Sequence, residues 1–415
     1  MLPEIKTSSQ KLEKYRGLIR DSLFDEIKDL ARDLKRLRIN MVNATPKGGG
    51  VAEILKSLIP LMNGLGFDAR WYVLPPDRKF FNLTKNIHNA MQGKTQFLSF
   101  KDRVLYCHYQ ERIARLMQNM KADVWVIHDP QPSGIIQYLP NLYVSVAHVH
   151  IDTTLPNKEV ADFINSFLFM YDKIIFSNKD YVNKYLPKEK IVIFPPAIDP
   201  LADKNKKISL STAKKIIKDF GINPKKPLVS QVSRFDPWKD PLGVIKAYRL
   251  AKQKIPGLQL ALVGLILAVD DPEAVKVLKE VREVAKKDSD IFLFSEPKKL
   301  GKLPVDIFVN AFQTASEVIV QKSTREGFGL TATEALWKEK AVIAGNVGGL
   351  KLQVQNGKNG FLVSSPEETA ERIVQLIQNK PLAVKLGKAA KETVREKFLL
   401  PRLLRDYLKL FKELV

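Results

Sequence analysis

Cysteine is almost absent from this chain of 415 residues, which contains one thiol, Cys107. One thiol cannot build an internal disulfide framework or a multi-cysteine zinc site, and such usage suits a reducing compartment. The N-terminus also lacks an apolar signal-peptide segment, because Glu4 and Lys6 lie within it. These two absences predict a cytoplasmic protein.

Long hydrophobic runs are missing as well. The longest, residues 258–269, is interrupted by Gln259 and is too short to span a bilayer, so we expect no membrane partner. The composition, 45% hydrophobic and 27% charged, is typical of a globular protein. A chain of 415 residues is too long for a single ordinary hydrophobic core, which predicts two domains.

Positive charge is in excess, with 67 Lys and Arg against 45 Asp and Glu and a net charge of +22. Such an excess can indicate binding to nucleic acid or to acidic lipid. The lysines are spread along the chain and no nucleic-acid motif accompanies them, so we predict no nucleic-acid partner and take an anionic substrate as the milder explanation. A Lys- and Glu-rich surface with little cysteine is also found in proteins from hot environments, so a thermophilic source is a further expectation.

The most informative stretch is residues 316–336. A short apolar strand is followed by a loop that contains Gly327 and Gly329 and then by a helix-forming segment. The first N–H groups of that helix, at Leu330 and Thr331, have no intrahelical partner. Together with the helix dipole they predict a site for an anion such as a diphosphate.

Two carboxylates flank this predicted anion site. Glu326 lies in the loop and Glu334 in the early helix, where each could accept hydrogen bonds from sugar hydroxyls on either side of a phosphate. A ligand with two hydroxylated ends and an anionic middle would fit, and a sugar nucleotide has that form. For the spacing alone, two unrelated solvated glutamates remain the alternative.

The same residues resemble the motif of a known family. Glu326 and Glu334, with Gly327-Phe328-Gly329 after the first, are similar to the paired glutamates of retaining glycosyltransferases of the GT-B type, family 4. The resemblance implies an α/β fold of two Rossmann-like domains facing each other across a cleft. The donor-binding residues that it implies in this stretch are Glu326, Gly327, Phe328, Gly329, Leu330, Thr331 and Glu334.

A proline-rich segment, residues 195–200, is the predicted hinge, because paired prolines cannot continue a central strand. We predict an N-terminal acceptor-side domain over residues 1–200 and a C-terminal nucleotide-sugar-binding domain over residues 201–398. The terminal helix, residues 399–415, is expected to pack back on the first domain, as it does in this architecture.

A charged, helix-compatible leader covers residues 3–35. Its apolar positions Ile19, Leu23, Ile27 and Leu30 recur at helical spacing. This face could pack on the body of the protein or on a second subunit. We therefore expect a homodimer.

A glycine-rich loop follows the first predicted buried strand, residues 38–42, and precedes a helical pattern. Three consecutive glycines alone favour a plain flexible turn. The equivalent loop of the family faces the cleft. The resemblance therefore implies donor contact by Gly49 and Gly50 and acceptor contact by Lys47 and Gly48.

Three of the 5 histidines lie at or near the ends of two predicted strands. One strand ends in His128 and Asp129, and the next, residues 143–152, carries His148 and His150. Ligands bind at the carboxyl ends of parallel strands. The alternative is that these histidines have a structural role only, with their hydrogen bonds made within the core or on a loop.

The resemblance assigns roles to these residues. His150 is similar to the family histidine that hydrogen-bonds the donor sugar or lies beside its anomeric carbon. His128 and Asp129 are similar to the His-Asp pair that contacts the acceptor. A metal site made of these histidines would need a third close ligand, and we predict no metal site.

Arg234 and Lys239 follow a predicted strand, on either side of Pro237, and can converge on one anion. Arginine offers a planar fork to phosphate oxygens and lysine a compact charge. An arbitrary pair would more often belong to a solvated basic loop. In this position the two resemble the diphosphate-binding Arg and Lys of the family.

Three segments, residues 196–201, 270–273 and 321–330, narrow the resemblance within family 4. They are similar to members that join glucose from ADP-, UDP- or GDP-glucose to free glucose, which gives α,α-trehalose. Trehalose and a nucleoside diphosphate are the substrates of the reverse reaction. Residues 264–269 depart from the pattern, because a more glycine-rich loop is expected there.

The implied chemistry is retaining transfer of glucose. Arg234, Lys239 and the helix N-terminus would meet the charge that grows on the leaving diphosphate. Glu326, His150 and Asp129 complete the implied catalytic set. No cofactor is then required, although Mg²⁺ bound by the nucleotide could stimulate the reaction. A covalent intermediate on Glu326 is the rival mechanism.

Two other functions remain open at this stage. A phosphorylated acceptor, as in sucrose- or trehalose-phosphate synthases, could be held by Lys47 and Arg103. A non-catalytic protein that binds sugar nucleotides or nucleic acid is the alternative from another class. The first would be recognised by its product, and the second by binding without turnover.

Overall fold

The structure is a computed structural model that describes residues 1–139, 142–265 and 272–415, without the side chains of residues 272 and 273. Residues 266–269 of the departing segment and residues 270 and 271 of the motif at 270–273 therefore lie outside the described residues. Among those that are described, no helix combines the length and the apolar character needed to cross a membrane.

The chain divides into two compact units. The first comprises residues 1–197 and 399–415, and the second residues 198–398. Each unit contains a largely or wholly parallel β-sheet with helices. The predicted α/β class is confirmed.

The first unit has a sheet of seven strands. They are β1 (Glu4–Ile5), β2 (Arg38–Asn43), β3 (Asp68–Val73), β4 (Val124–His128), β5 (Ser145–Val149), β6 (Lys173–Phe176) and β7 (Ile191–Ile193). Their spatial order is β1-β3-β2-β4-β5-β6-β7, and only β1 runs antiparallel to its neighbour. The strand order reverses direction between β2 and β4. At such a switch point the carboxyl ends of parallel strands leave a crevice for ligands.

The second unit has a sheet of six parallel strands. They are β8 (Leu228–Val232), β9 (Gln259–Val263), β10 (Ile291–Phe294), β11 (Val318–Gln321), β12 (Val342–Gly345) and β13 (Gly360–Val363). Their order is β10-β9-β8-β11-β12-β13, so the switch point of this sheet lies between β8 and β11.

The helices cover the sheets of both units. In chain order they are α1 (Asp21–Asp33), α2 (Gly50–Gly64), α3 (Arg78–Met91), α4 (Phe100–Met117), α5 (Lys158–Leu168), α6 (Leu210–Asp219), α7 (Pro241–Lys252), α8 (Pro272–Ala285), α9 (Val305–Ala315), α10 (Leu330–Trp337), α11 (Leu350–Gln353), α12 (Pro366–Gln378), α13 (Lys380–Lys397) and α14 (Leu400–Leu414). All residues of β4, β5, β8, β9, β11 and β12 are buried, as expected of parallel strands covered on both faces.

Two segments for which no helix was predicted contain helices. Residues 78–91 form α3, which begins after Asp77, whose carboxylate accepts a hydrogen bond from the N–H of Phe80 at 3.0 Å. The polar stretch 201–225 contains α6, which is capped by Ser209. In both cases a side-chain cap starts a helix that the composition alone did not reveal.

The leader packs within its own unit. Ile27 and Leu30 of α1 are buried, and α1 contacts α14. Glu26 pairs with Arg405 at 3.2 Å and with Lys409 at 2.6 Å across the two helices. Because α14 covers the apolar face of α1, the leader no longer argues for a homodimer, which stays a prediction.

Candidate active site

In the second unit, the predicted donor-binding residues follow the two strands at the switch point. Arg234 and Lys239 come after β8, and Glu326 lies in the loop between β11 and α10. The strand, glycine loop and helix predicted for residues 316–336 are therefore present. Because β8 and β11 are neighbours in the sheet, their loops emerge side by side.

Lys239 and Glu326 form an ion pair. The Nζ of Lys239 donates a hydrogen bond to Oε2 of Glu326, and their side chains are only 17% and 9% exposed. The same oxygen accepts hydrogen bonds from Oγ of Ser323 at 3.1 Å and from Nε2 of Gln321 at 3.5 Å. Low exposure strengthens such charge-assisted bonds, so the Glu326 carboxylate is held in one position.

Gly329 starts α10 in a conformation that a side chain would resist. Its φ is +89°, in the left-handed region, and it makes no side-chain cap for the helix. A Cβ at this position would lie 2.9 Å from Cδ2 of Leu350 and 3.1 Å from Cγ of Glu326. The glycine therefore permits both the turn and the close approach of the Glu326 side chain.

Other predicted donor residues surround this turn. The ring of Phe328 is buried and packs edge-on against Phe398 at 5.4 Å, so its backbone is the part that remains for a ligand. Leu330 and Thr331 form the first turn of α10, whose N–H groups lie beyond the reach of intrahelical acceptors. Oγ1 of Thr331 donates to Oε1 of Gln321 at 3.4 Å. The backbone of this turn offers the predicted anion site.

Arg234 has a different environment from Lys239. Its side chain is 65% exposed and pairs with Asp236 at 3.5 Å. Lys239 instead points to Glu326. The two predicted diphosphate cations thus follow the same strand but contact different carboxylates.

Glu334 is buried in α10 and is 1% exposed. Nε2 of Gln313 donates to its Oε2 at 3.2 Å, and Nζ of Lys204 lies 3.6 Å from its Oε1. Nζ of Lys338 donates to the carbonyl oxygen of Glu334 at 3.2 Å and to Asn205 at 3.4 Å. Burial lowers the pKa of Lys338 to about 7, and the charge of Glu334 partly offsets this effect.

Lys204 and Lys338 were missed by sequence reasoning. Lys338 stands four residues after Glu334, at the C-cap of the same helix, a spacing that places residues next to each other, so it could have been found. Lys204 lies outside every predicted helix and strand, and no local pattern relates it to Glu334.

In the first unit, the glycine-rich loop follows β2 at the switch point of that sheet. Lys47, Gly48, Gly49 and Gly50 are all exposed. Gly48 has φ +87°, and Gly49 precedes α2 without a side-chain cap. The loop thus presents a second helix N-terminus, as expected of a segment that binds polar ligands.

Asp129 follows β4 in a left-handed conformation with φ +68°. The N–H of His150 donates to Oδ1 of Asp129 at 2.8 Å, and the N–H of Asp129 donates to the carbonyl oxygen of His148 at 2.9 Å. Burial raises the pKa of the Asp129 carboxyl to about 7, against the lowering effect of the His150 N–H. A non-glycine residue held in this conformation is common at functional sites.

Three histidines lie together at this end of the sheet. His128 and His148 are partners in the register of β4 and β5, and His150 follows β5. Nδ1 of His128 lies 3.0 Å from Nε2 of His150, and the rings of His148 and His150 stack at 3.8 Å. Nδ1 of His148 lies 2.5 Å from the hydroxyl of Tyr407 in α14, a residue that no sequence prediction singled out.

Burial lowers the pKa of all three imidazoles, that of His150 to about 3. The rings are therefore neutral at neutral pH. The third close nitrogen that a metal site would require is present, since one ring nitrogen of each histidine lies within 4.8 Å of the other two.

Models of two protein families match successive parts of the chain. "Trehalose synthase, N-terminal domain" matches residues 41–183, and "Glycosyl transferases group 1" matches residues 212–393. The first match falls in the first unit and the second match in the second unit.

Curated relatives extend this match to nearly the whole chain. The trehalose synthase of Thermococcus litoralis is 42% identical, over 97% of this chain and 96% of its own length. That of Rubrobacter xylanophilus is 40% identical over 100% of both chains.

Solved structures show the same fold at low identity. Sucrose-phosphate synthase from Thermosynechococcus elongatus has a TM-score of 0.72 with 16% identity, over 91% of this chain and 99% of its own. An α,α-trehalose-phosphate synthase from Burkholderia xenovorans, in complex with glucose-6-phosphate, has a TM-score of 0.70 with 11% identity, over 90% and 100%. The chain therefore belongs to the trehalose synthase family of glycosyltransferases and is a hexosyltransferase with the GT-B fold.

Proposed function

We propose that the protein transfers glucose from a nucleoside diphosphate glucose to free glucose and forms α,α-trehalose with retention of configuration. The observation that carries the proposal is the Lys239–Glu326 ion pair beside the start of α10. It joins a cation, a carboxylate and a helix N-terminus at the switch point of one parallel sheet. Those three groups suit the leaving diphosphate and the hydroxyls of the sugar that departs from it.

The departing diphosphate gains negative charge as the glycosidic bond breaks. Lys239 and the N–H groups of Leu330 and Thr331 lie where a diphosphate at this helix end would be stabilised, and Arg234 can swing in from its exposed position. Glu326 accepts hydrogen bonds from the donor glucose, and Glu334 accepts hydrogen bonds from the ribose. We also propose Gly49 and Gly50 as donor contacts.

We propose contacts with the acceptor or with the transferred glucose for five further residues. Asp129 hydrogen-bonds a hydroxyl of the acceptor, with His128, Lys47 and Gly48 as further acceptor contacts. His150, a neutral imidazole at neutral pH, hydrogen-bonds the donor glucose. A phosphate oxygen of the leaving group takes the proton of the attacking hydroxyl, on the face that the diphosphate vacates.

The rival mechanism would use Glu326 as a covalent nucleophile. Its Oε2 accepts hydrogen bonds from Lys239, Ser323 and Gln321. Such bonds stabilise a carboxylate and make it a weaker nucleophile. Their presence supports direct attack by the acceptor.

No metal is needed in this scheme, because cationic side chains already neutralise the diphosphate. Mg²⁺ carried by the nucleotide is proposed only to stimulate the reaction.

We also propose a cytoplasmic location, where the one thiol, Cys107, stays reduced. Burial raises the pKa of this thiol and lowers its reactivity.

Free glucose is the favoured acceptor. Arg103, a candidate for binding a sugar phosphate, already donates to Oε1 of Glu159 at 2.5 Å. Lys47 remains on its exposed loop as the other candidate. The relatives with about 40% identity are named trehalose synthases, whereas the phosphate-forming enzymes resemble this chain only in fold.

Product analysis tests the proposal. The protein is incubated with ADP-, UDP- or GDP-glucose and with either glucose or glucose 6-phosphate, and the product is identified by chromatography and by the NMR signals of its anomeric protons. We expect α,α-trehalose from glucose with at least one donor, and sugar nucleotide from trehalose and a nucleoside diphosphate in reverse. A phosphorylated product alone would support the alternative acceptor. Binding of sugar nucleotides without any transfer would contradict the proposal.

A further inference from the structure

Three imidazoles share one face of the first unit's sheet. His128 and His148 are directly paired on β4 and β5, and His150 lies two residues beyond His148, so their side chains point to the same side. One ring nitrogen of each lies within 4.8 Å of the other two. Glucosyl transfer, as proposed above, uses His150 and His128 and leaves His148 without a role.

Two nitrogens of this cluster lack a hydrogen-bond partner. Nε2 of His128 and Nε2 of His148 are buried, and neither has a partner among the described residues. Each residue is 1% exposed. Buried polar atoms in native proteins are nearly always paired, so two unpaired nitrogens in one cluster indicate a ligand.

Tyr407 orients one of these rings. Its hydroxyl lies 2.5 Å from Nδ1 of His148, which leaves Nε2 as the ring nitrogen without a partner among the described residues. Where Nδ1 donates to the hydroxyl, Nε2 carries a lone pair. Metal-binding histidines are held in this way, with the second ring nitrogen fixed by an outer partner.

The chemistry of the cluster selects a class of ion. Neutral imidazoles suit Zn²⁺, Co²⁺, Ni²⁺ and Cu²⁺, whereas Mg²⁺ prefers oxygen ligands. Because burial keeps the three rings neutral, no proton has to leave them before an ion binds. In a tetrahedral zinc site, bonds of about 2.0–2.1 Å place the nitrogens ~3.3 Å apart. One pair, Nδ1 of His128 and Nε2 of His150, already lies 3.0 Å apart, and a bound ion would replace the hydrogen bond between them.

We propose that His128, His148 and His150 bind one divalent transition-metal ion, with Zn²⁺ as the best fit. The ion has three protein ligands and one open position. Its effect rests on the proposed function, in which His150 contacts the donor glucose. An ion on His150 removes that contact, so the metal inhibits transfer and takes no part in it.

Metal titration of the full chain tests the site directly. The protein is treated with a chelator, transferred to chelator-free buffer and titrated with Zn²⁺ by calorimetry, without sugar nucleotide. We expect one ion per chain, and visible absorption typical of tetrahedral coordination when Co²⁺ is used. His148→Gln removes one ligand and should weaken Zn²⁺ binding at least tenfold, with circular dichroism as the check on folding.

Two sets of variants keep the test decisive. Tyr407→Phe retains all three ligands and should weaken binding about tenfold, because it releases the ring of His148. His88→Ala, His108→Ala and Cys107→Ser remove the chain's other imidazoles and its thiol and should leave binding unchanged. Loss of binding in these variants instead, or no bound ion in the wild type at 100 μM Zn²⁺, would overturn the proposal and leave water as the partner of the two nitrogens.

Inhibition is measured separately. If transfer occurs, Zn²⁺ should inhibit the wild type, and His148→Gln should need at least tenfold more Zn²⁺ for the same fractional inhibition. If no transfer occurs while one ion binds, the proposed function fails and the metal site stands. If transfer occurs without ion binding, the metal site fails alone.

Discussion

Lys239 and Glu326 contact each other from loops that follow two adjacent parallel strands, with Nζ of Lys239 donating to Oε2 of Glu326. Each loop starts at the carboxyl end of its strand. Because the two strands are neighbours in the sheet, their loops lie next to each other. A cation and a carboxylate in contact can bind the two parts of a sugar diphosphate, because one attracts phosphate oxygens and the other accepts from sugar hydroxyls.

Replacement of Glu326 by alanine should abolish most activity while the fold is retained. The carboxylate is proposed to contact the donor sugar, so we expect kcat to fall on the order of 10²–10³-fold. Trehalose formation at saturating donor measures this. Glu371→Ala, an exposed glutamate of the same unit, is the control and should retain wild-type turnover. Near-normal turnover in Glu326→Ala would remove the proposed role of this residue.

Arg234 should matter for activity and little for stability. Its side chain is 65% exposed, so Arg234→Ala should change the free energy of unfolding by about 0.5 kcal/mol or less. Because the guanidinium is proposed to move onto the diphosphate, kcat/KM for the donor should fall on the order of 10²-fold. Arg234→Lys should recover part of the loss, because lysine keeps the positive charge but lacks the planar guanidinium group that can bind two phosphate oxygens at once.

Steady-state kinetics with varied donor, together with denaturant unfolding, check this prediction. Lys254→Ala removes an exposed cation of the same unit and is the matched control. If the two alanine variants lose activity equally, the loss reflects the lower positive charge of the protein as a whole, and Arg234 has no specific role.

The strand, loop and helix around Glu326 were predictable from sequence because each carries a local signal. An apolar run precedes Gly327 and Gly329, and helix-forming residues follow them. The helix at 78–91 was not among the predicted elements, although Phe80, Leu83 and Ile87 recur at helical spacing, so the sequence did contain a signal for it.

The contacts of the histidine cluster could not be read from sequence. That His128 stands opposite His148 depends on the register between β4 and β5, which packing of the whole unit determines. The bond between His148 and Tyr407 joins residues that are 259 positions apart in the chain. Likewise, no local pattern brings Lys204 to Glu334. Such relationships exist only once the chain has folded.

Gly329→Ala should impair both stability and activity. A non-glycine residue at φ +89° costs about 1–2 kcal/mol, and the new Cβ would press on Leu350 and on the Glu326 side chain. We therefore expect a larger loss of stability than strain alone produces, together with at least a tenfold fall in kcat from displacement of Glu326.

Gly357→Ala provides the matched control. Gly357 also has a left-handed φ, +73°, but a Cβ there would meet no atom within 4 Å. It should cost about 1 kcal/mol from strain and leave kcat unchanged. Thermal unfolding and turnover of both variants separate the two contributions. Equal effects on turnover would show that the contact of Gly329 with Glu326 is unimportant.

Lys338 should make the stability of the protein depend on pH. Burial lowers its pKa in the folded state to about 7, whereas an unfolded lysine titrates near ~10.4. Below pH 7 the amine is protonated in both states. Between pH 7 and about 10 the folded state releases the proton while the unfolded state keeps it, so the unfolded state binds more protons and stability rises with pH.

The comparison of wild type with Lys338→Met isolates this effect, because Lys340, whose pKa burial lowers to about 8, titrates in both proteins. The wild type should gain stability relative to the variant by up to about 1.4 kcal/mol per pH unit above pH 7. Denaturant unfolding at pH 6.5, 8 and 9.5 measures the difference, with Lys254→Met as the exposed control that should show none. A difference that stays constant over this range would mean that Lys338 remains charged when folded. Its ammonium would then be stabilised by Glu334 more strongly than burial disfavours it.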